Sequence, residues 1–387
     1  MSDTEKKPVD LSVSRERINQ IDSELRALFL ERMGIAADVA DYKRSVGMAV
    51  LDPAREQAVL DRLCDGLDRP YAEAVTDLWK QIFEISRGYQ HHLLARDTCP
   101  QAAALRAEIA TQKPLAAHAT VACQGVRGAY AHHAAEALFA DPDVSFFSDW
   151  QAVTDAVLDG RCTYGVLPIE NSTRGSVSAV YELLRSRRVH IVRGCRLAIR
   201  HALLGLPGTS LSEIREVRSH EQALGQCAGW LDTRPALARV TAPNTAMAAE
   251  AVAQAGRRDL AAIASPDCAE LYGLDVLVND VTDCGFNYTR FVCIAREPSV
   301  TPDADKLSLI VTLPHRSGSL AALLSRFAAR GLNLTKLESS PIPGRDFEFM
   351  FCIDLDAPVP EELPGLLNDI GDQVESLTVL GLYHEQK

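Results

Sequence analysis

One helical repeat of unusual length constrains the fold of this chain more than any other feature. Apolar residues recur every three or four positions from Ser14, a candidate N-cap, to about Val46. The first members of the repeat are Ile18, Ile21, Leu25 and Leu28. A helix of about thirty residues is too long to bury its apolar stripe alone. It therefore requires other helices or a second copy of the chain.

Three kinds of periodicity follow one another along the 387 residues and predict a multidomain chain. Helical spacing continues to about Leu94, short apolar strands then alternate with amphipathic helices, and the last segment reads strand, helix, strand, strand, helix, strand. We divide the chain into an all-α domain (1–96), a linker (97–118), an α/β domain with two lobes (119–297), a linker (298–305) and an α+β domain (306–387).

Composition excludes several classes of function. The net charge of −12 argues against nucleic acid or an acidic membrane as the main partner, because both require a cationic face. The polar N-terminus and the lack of a long apolar run predict a cytoplasmic protein that does not span a membrane. The scattered cysteines without a C-x-x-C pair suit reduced core thiols.

Cationic residues on the long helix can be placed by their angular spacing. Arg32 and Lys43 are eleven residues apart, or about 1100°, and therefore share one face. Arg15 lies about 260° around the axis from Arg32 and about 25 Å along it. If all three serve one small ligand, Arg15 must come from a second copy of the chain. The alternative is that these residues are solvated charges on a helical bundle.

The stretches "RERINQID", "LERMGIAADVADYK", "LDPAREQAVLDRL" and "SRGYQ" resemble the all-helical class of chorismate mutases. That family forms an interlocked dimer, in agreement with the placement of Arg15. The resemblance implies that Arg15 of the partner and Arg32 hold carboxylates, with help from Arg55 and Ser86. It also implies that Lys43 and Gln90 face the ether oxygen, while Asp52 and Glu56 hold the ring hydroxyl.

The α/β segment contains two motifs that suggest cofactors, and both are incomplete. Gly125 and Gly128 lie between a strand and a helix, but the glycine that a dinucleotide fingerprint requires at Cys123 is missing. His132 and Glu136 have the spacing of a metal pair, but no third ligand is evident, and we interpret them as helix surface. We therefore predict no cofactor and no metal.

A polar loop follows a buried strand at "VLPIENSTRGSV", where α/β folds often hold anions. Together with "GVRGAYAHHAA", "RSHEQALGQC", "ELYGLDVL" and "FNYTRF", it resembles prephenate dehydratase. This resemblance implies a two-lobed fold like that of periplasmic binding proteins. The product of a chorismate mutase is the substrate of this enzyme.

The stretch "FNYTRF" carries the residue that we expect to matter most for dehydration. In the family the threonine of the T-R-F motif, here Thr289, lies in the cleft and assists departure of the ring hydroxyl. Arg290 is a candidate for substrate charge, although strand alternation sends adjacent side chains to opposite faces. The further candidates for substrate contact are Asn171, Ser172, Thr173, Ser219 and Gln226. The alternative is an ordinary strand entrance with a solvated arginine.

The C-terminal segment resembles an ACT domain, a ferredoxin-like module that senses phenylalanine in this enzyme family. The resemblance rests on "RSGSLAALL", with the backbone amides of Gly318, Ser319 and Leu320 as carboxylate ligands, and on "LESSPI", with Glu338 and Ser339. The family pattern has alanine at Ser319 and arginine at Ser340. We expect phenylalanine to inhibit the dehydratase, but more weakly or less cooperatively than is usual in the family.

The sequence thus predicts a bifunctional enzyme of phenylalanine biosynthesis, active as a homodimer or higher homo-oligomer on chorismate and prephenate. Two alternatives remain open at this stage. The second domain could act on arogenate, which differs from prephenate by an amino group, or the chain could be an inactive amino-acid sensor.

Overall fold

The computed structural model describes residues 11–48, 50–94, 99–283, 285–342, 344, 348–371 and 373–386. These residues form two compact units. The first comprises residues up to 103 together with 316–326 and 364–373, and the second comprises 104–315, 327–363 and 374–387. The polar N-terminal residues 1–10 lie outside the described residues.

Long helices form most of the first unit. The helices of the N-terminal region are α1 (Leu11–Val46), α2 (Pro53–Cys64), α3 (Arg69–Leu94) and α4 (Pro100–Ala110). The first helix ends at Val46, as predicted, but Ser14 lies inside it and is therefore not its N-cap. Helix α2 begins after Asp52, whose carboxylate accepts a hydrogen bond of 3.0 Å from the backbone amide of Arg55.

The middle segment contains two sheets and confirms the prediction of two α/β lobes. The first sheet consists of β1 (His118–Gln124), β2 (Asp141–Phe147), β3 (Tyr164–Asn171), β4 (Gly175–Ser176), β5 (His190–Ala198), β11 (Tyr288–Ala295) and β16 (Glu385–Gln386). The second consists of β6 (Ala202–Gly205), β7 (Glu216–Ser219), β8 (Ala238–Thr241), β9 (Leu260–Ala264) and β10 (Asp275–Val278). The chain crosses between the lobes twice, from β5 to β6 and from β10 to β11.

Short helices connect these strands. They are α5 (Tyr130–Leu138), α6 (Trp150–Leu158), α7 (Ser178–Ser186), α8 (Glu221–Gln226), α9 (Ala228–Asp232), α10 (Thr245–Ala255) and α11 (Asp267–Tyr272). The strand order in the first sheet is β16-β5-β11-β3-β1-β2, with β4 paired to β3. Strand β11 therefore lies in the middle of the sheet, between β3 and β5, which explains its run of buried residues.

The C-terminal segment forms the predicted ferredoxin-like pattern. Its elements are β12 (Lys306–Thr312), α12 (Ser319–Ala329), β13 (Leu334–Pro341), β14 (Phe349–Asp356), α13 (Leu363–Gly371) and β15 (Ser376–Tyr383). The strands form an antiparallel sheet in the order β13-β14-β12-β15. Short 3₁₀ helices are present at Leu211–Glu213 and Pro360–Glu362.

This third sheet packs directly against β5 of the first sheet. A Cβ atom on Gly381 of β15 would lie 2.0 Å from the carbonyl oxygen of Ile191, so the two backbones approach too closely for any side chain. Beyond β15 the chain adds β16 to the edge of the first sheet, parallel to β5. Ile310, Met350 and Tyr383 accordingly share one apolar core with residues of the first lobe.

A buried cluster of charges joins the same two sheets. The Arg290 side chain is 7% exposed and forms ion pairs with Asp354 of β14 and Glu385 of β16. It also donates a hydrogen bond of 2.6 Å to the Tyr383 hydroxyl. Burial opposes the charge on Arg290, but Tyr383, Asp354 and Glu385 outweigh it and raise the pKa of Arg290.

Glu385 on β16 also forms ion pairs with two further cations, Arg196 and Lys306. Arg196 donates to its Oε2 at 2.6 Å, and the Lys306 ammonium lies 3.4 Å from the same oxygen. Burial alone would raise the pKa of Glu385, but Arg290, Lys306 and Arg196 together lower it below 4.5. Removing one member of such a buried pair leaves an uncompensated charge and is strongly destabilising.

We predict that Glu385→Gln lowers the free energy of unfolding at pH 7 by about 3 kcal/mol, because Arg290 loses a buried partner. The folded-state pKa of Glu385 is depressed, so its contribution is complete above about pH 4.5 and is lost as the pH falls through the folded-state value. Denaturant titrations over this range should therefore show the deficit shrinking with acidification.

The matched control is Glu297→Gln, because the Glu297 side chain is 82% exposed and its ion pair with Arg296 is solvated. This change should alter the free energy of unfolding by less than about 0.5 kcal/mol at either pH. A Glu385→Gln deficit that stays constant as the pH falls would contradict the assigned ion pairs.

Candidate active sites

A cleft of about 1030 Å³ opens between the two lobes of the second unit. Its lining includes polar residues from both lobes and from the first chain crossing. Among them are Gln124, Asn171, Arg174, Ser176, His201, Glu221, Gln226, Asn244 and Thr289, together with the aromatic residues Tyr130, Phe146, Phe147, Trp150 and Phe291. Three of the predicted residues, Asn171, Gln226 and Thr289, are thus brought together in one cavity.

Asn171, at the end of β3, organises the wall of the cleft. Its Oδ1 accepts hydrogen bonds from the hydroxyl of Thr173 at 2.7 Å and from the backbone amides of Thr173 and Arg174. Its Nδ2 donates to Oγ1 of Thr289 at 3.0 Å and to Oδ1 of Asn287 at 2.8 Å. No described residue accepts the hydroxyl proton of Thr289, which therefore remains available to a ligand.

Four predicted substrate contacts do not line the cleft, namely Ser172, Thr173, Ser219 and Arg290. Ser172 donates to the carbonyl oxygen of Phe286 at 3.3 Å and so holds the loop before β11, while the hydroxyl of Thr173 is directed at Asn171. Ser219 is fully buried and donates to the carbonyl oxygen of Ile263. These serines and Thr173 shape the backbone around the site.

Arg290 also lies outside the cleft, and this corrects its expected role in binding substrate charge. Thr289 pairs with Asn171 and faces the cavity, so the next side chain on β11 must point to the opposite face. There it meets the buried carboxylates of Asp354 and Glu385. The cation among the cleft-lining residues described above is Arg174.

His201 is a cleft residue that the sequence analysis missed. It lies on the first crossing between the lobes, is 2% exposed, and its Nε2 is 3.0 Å from Oε1 of Gln226. Burial lowers the pKa of His201 below 6.5, so the ring is mainly neutral at pH 7. In the sequence His201 lies within the continuous stretch "HIVRGCRLAIRHALLGL", and only the structure divides this stretch into β5 and β6 with the crossing between them.

The predicted mutase residues lie on α1, α2 and α3. Arg32 is half-buried, and its guanidinium lies 5.8 Å from the centre of the Phe83 ring. Burial lowers the pKa of Arg32, while the nearby Glu56 carboxylate acts in the opposite direction. Nη1 of Arg32 is buried and has no hydrogen-bond partner among the described residues, as expected of a cation that awaits an anionic ligand.

The remaining mutase residues occupy the same helices. Lys43 donates to the carbonyl oxygen of Val50, next to the start of α2. Ser86 and Gln90 are buried on one face of α3, and Nε2 of Gln90 donates to Oγ of Ser86 at 3.3 Å. Arg15 and Arg55 are exposed in the single chain.

An apolar stripe on α1 is also exposed in the single chain. Of the 36 residues in this helix, only Ala36 and Ala40 are buried. The exposed apolar residues include Ile18, Ile21, Leu25, Leu28, Ile35 and Val39, each at least 40% accessible. These residues form a continuous apolar surface along a helix of roughly 54 Å. Single exposed leucines are common on soluble proteins, but a continuous apolar surface of this length usually marks an interface.

The two segments predicted to sense phenylalanine are both described. Gly318 has a φ of +85° and directly precedes α12, where the hydroxyl of Ser319 is buried without a hydrogen-bond partner among the described residues. Glu338 on β13 accepts a hydrogen bond from Ser176 and lies 3.2 Å from Lys336, while Ser339 is exposed.

Glu136 is exposed on the helix surface, as interpreted from the sequence, but His132 is not. His133 supplies the third potential donor, and the ligand-type atoms of the three residues lie within 4.8 Å of one another. The His132 side chain is only 11% exposed, and its Nδ1 accepts a hydrogen bond from the backbone amide of Gly128 at 3.4 Å.

Among the described residues no helix has the length and apolarity needed to cross a membrane.

Comparison with known families identifies three segments in the order predicted from sequence. The family models are "Chorismate mutase type II" for residues 14–91, "Prephenate dehydratase" for 121–299 and "ACT domain" for 307–372. The chain is 32% identical over 384 residues to the bifunctional chorismate mutase/prephenate dehydratase of Escherichia coli, and the match covers 95% of each chain.

Two further relatives match the part that follows the helical region. Arogenate dehydratase/prephenate dehydratase 2 of Arabidopsis thaliana is 37% identical over 276 residues, which is 68% of this chain and 72% of the relative. The crystal structure of prephenate dehydratase from Arthrobacter aurescens in complex with L-Phe is 29% identical with a TM-score of 0.61. That match covers 68% of this chain and 89% of the solved one.

Proposed function

Because this chain belongs to the bifunctional chorismate mutase/prephenate dehydratase family, we propose here which of its residues carry the two reactions. The enzyme rearranges chorismate to prephenate and then converts prephenate to phenylpyruvate, on the route to phenylalanine. The observation that carries the assignment of residues is the Asn171–Thr289 hydrogen bond in the cleft, in the segment that matches prephenate dehydratase.

For the mutase reaction we assign the donors on α1 and α3. A Claisen rearrangement needs no nucleophile, only a compact conformer of the substrate and stabilisation of negative charge on the breaking ether oxygen. Lys43 and Gln90 supply hydrogen bonds to that oxygen. The carboxylates are bound by Arg32, Arg55, Ser86 and the partner's Arg15, while Asp52 and Glu56 hold the ring hydroxyl.

We infer a homodimer or higher homo-oligomer, built through α1. The exposed apolar stripe of α1 supports this proposal, because a second copy of the helix would bury it. The angular position of Arg15 supports it independently, since one straight helix turns Arg15 and Arg32 in different directions. We also infer that the enzyme acts in the cytoplasm.

We predict that Lys43→Ala lowers the mutase rate by at least about 10², because a positioned donor is lost from the ether oxygen. Dehydration of prephenate should remain nearly unchanged, since Thr289 lies in a separate cavity. The loss of chorismate absorbance and the appearance of phenylpyruvate from added prephenate measure the two activities separately.

A mixing experiment serves as the control for this prediction and tests the dimer. The single variants Arg15→Ala and Lys43→Ala should each be nearly inactive as mutases, and mixed dimers should regain part of the activity, because one of their two sites contains both native residues. Equal damage to both reactions in Lys43→Ala would instead indicate unfolding.

For dehydration we assign the leaving-group interaction to Thr289. The bond between the ring and its carboxylate breaks, carbon dioxide leaves, the electron pair enters the ring, and the ring hydroxyl departs as hydroxide, which solvent protonates to water. Thr289 donates a hydrogen bond to the departing oxygen. Asn171 directs this donor by occupying a lone pair of Oγ1, and Gln226 and Arg174 are available to the substrate's polar groups.

We predict that Thr289→Val lowers the dehydratase rate by roughly 10² to 10⁴, because valine keeps the shape and strand propensity but has no hydroxyl. The mutase should be unaffected. A valine variant with near-normal turnover would contradict the role of Thr289. Supplying arogenate in a parallel assay tests the alternative substrate, which the name of the Arabidopsis relative raises.

We further infer that phenylalanine is an effector of the dehydratase. Supporting observations are the phenylalanine complex of the Arthrobacter relative and the left-handed Gly318 directly before α12, since a helix N-terminus favours a carboxylate. The Ser319 amide, which donates to the carbonyl oxygen of Arg316 at 3.4 Å, would exchange that long bond for the ligand. Gly318, Ser319 and Leu320 form this helix start, and Glu338 and Ser339 belong to the family's second sensing loop. The buried hydroxyl of Ser319 adds an unsatisfied polar group and should weaken binding of the apolar ring.

We predict that phenylalanine inhibits the dehydratase and that Ser340→Arg shifts the inhibition curve to lower concentrations, because it restores the cation of the family pattern. Titration of both proteins, with calorimetry as the direct readout of binding, measures the effect. If neither protein binds phenylalanine at millimolar concentration, the sensing role is wrong.

A further inference from the structure

The first unit includes a contact between the C-terminal helix α12 and the mutase helix α3. Arg326 lies on α12, seven residues after Ser319 and therefore on the same face, about 10 Å further along. Its guanidinium donates to the backbone carbonyl oxygen of Glu84 and lies 3.2 Å from Oε2 of the same residue. The Arg326 side chain is only 12% exposed.

Gly88 on α3 provides the space for this arginine. A Cβ atom at position 88 would lie 1.8 Å from Nη1 of Arg326. Glycine in a helix interior costs about 1 kcal/mol relative to alanine, and nothing in the helical geometry requires it here. The absence of a side chain at position 88 thus has a structural reason in the docking of Arg326.

The contact continues into the mutase site through alternating charges. Glu84 forms an ion pair with Arg87 one turn later, and Arg87 also holds Glu56 of α2. Glu56 in turn is the carboxylate that acts on the pKa of Arg32. Arg87, Glu84 and Glu56 are all at most 26% exposed, so solvent screens these charges less than those of surface ion pairs.

We propose that Arg326 is a positioning residue of the mutase: as a second cation on Glu84 it weakens the pull of Glu84 on Arg87, so that Arg87, shared between the two carboxylates, holds Glu56 toward the ring hydroxyl of chorismate. The proposal rests on the assignment of Glu56 to substrate binding made above. It means that the C-terminal domain contributes, through one side chain, to a reaction catalysed by the N-terminal helices.

Competition for Arg87 is the physical basis of this effect. The Arg87 guanidinium is a planar fork of donors and is shared between Glu84 and Glu56. Without Arg326, Glu84 is a half-buried carboxylate with a single cation, and it should draw Arg87 toward itself. Glu56 then loses part of its anchor. Because Glu56 contacts the hydroxyl in chorismate and in the transition state alike, the loss should appear mainly in KM.

The main test compares Arg326→Gln with Arg69→Gln in the full-length enzyme. Arg69 forms an exposed ion pair with Glu73 on the same helix α3 and serves as the matched control. For Arg326→Gln we expect the KM for chorismate to rise about 3- to 10-fold with little change in kcat, unaltered dehydration, and partial rescue by Arg326→Lys. For Arg69→Gln we expect no change.

Gly88→Ala provides a second, independent test. Alanine should favour α3, but its methyl group occupies the position of the Arg326 guanidinium. The proposal predicts a raised KM for chorismate, as in Arg326→Gln, and no additional rise in the double variant. A Gly88→Ala enzyme with unchanged KM would overturn the docking of Arg326.

Glu56→Gln separates failure of this inference from failure of the assigned mutase site. If Glu56→Gln impairs the mutase and Arg326→Gln does not, the site stands and the positioning role of Arg326 is wrong. If Glu56→Gln has no effect on the mutase, the assignment of Glu56 fails, and the proposal for Arg326 fails with it.

Discussion

The buried ion pairs of Arg290 determine how the second unit is built. A guanidinium that is 7% exposed is tolerated only with fixed partners, and these partners, Asp354 and Glu385, come from chain segments far along the sequence. Their strands must therefore lie against the first sheet. The same requirement explains why glycine occupies position 381, where the backbones of β15 and β5 meet, and why β16 pairs with β5 at the edge of that sheet.

The position of the Thr289 hydroxyl follows from this anchoring. Strand β11 is fixed on one face by Arg290, and pleating then turns Thr289 to the opposite face, toward the cleft. Asn171 on the neighbouring strand completes the arrangement, since its carboxamide connects the polar loop after β3 with Thr289 and Asn287. The proposed leaving-group donor thus lies on a central strand, while the opposite wall of the cleft comes from the second lobe.

The sequence predicted what depends on local pattern and missed what depends on distant contacts. Periodicity located the C-terminal end of α1 at Val46, and strand alternation already argued against Arg290 as a substrate ligand. Ser219 was misassigned because a motif shows its neighbours in sequence but not the carbonyl oxygen of Ile263 that its hydroxyl meets. Strand β16, the cleft residue His201 and the partner of Gly88 share this difficulty, since each is defined by residues far away in the chain.

The C-terminal segment contacts both catalytic regions, through different elements. Strands β14 and β16 supply the carboxylates behind Thr289, within the second unit, whereas α12 supplies Arg326 to the helices of the first. The proposed binding site for an amino-acid carboxylate is the start of α12, and an effector bound there would act on a helix whose Arg326 contacts Glu84. Because ligands shift equilibria only through contacts that differ between states, this helix gives one bound molecule a physical route to the mutase.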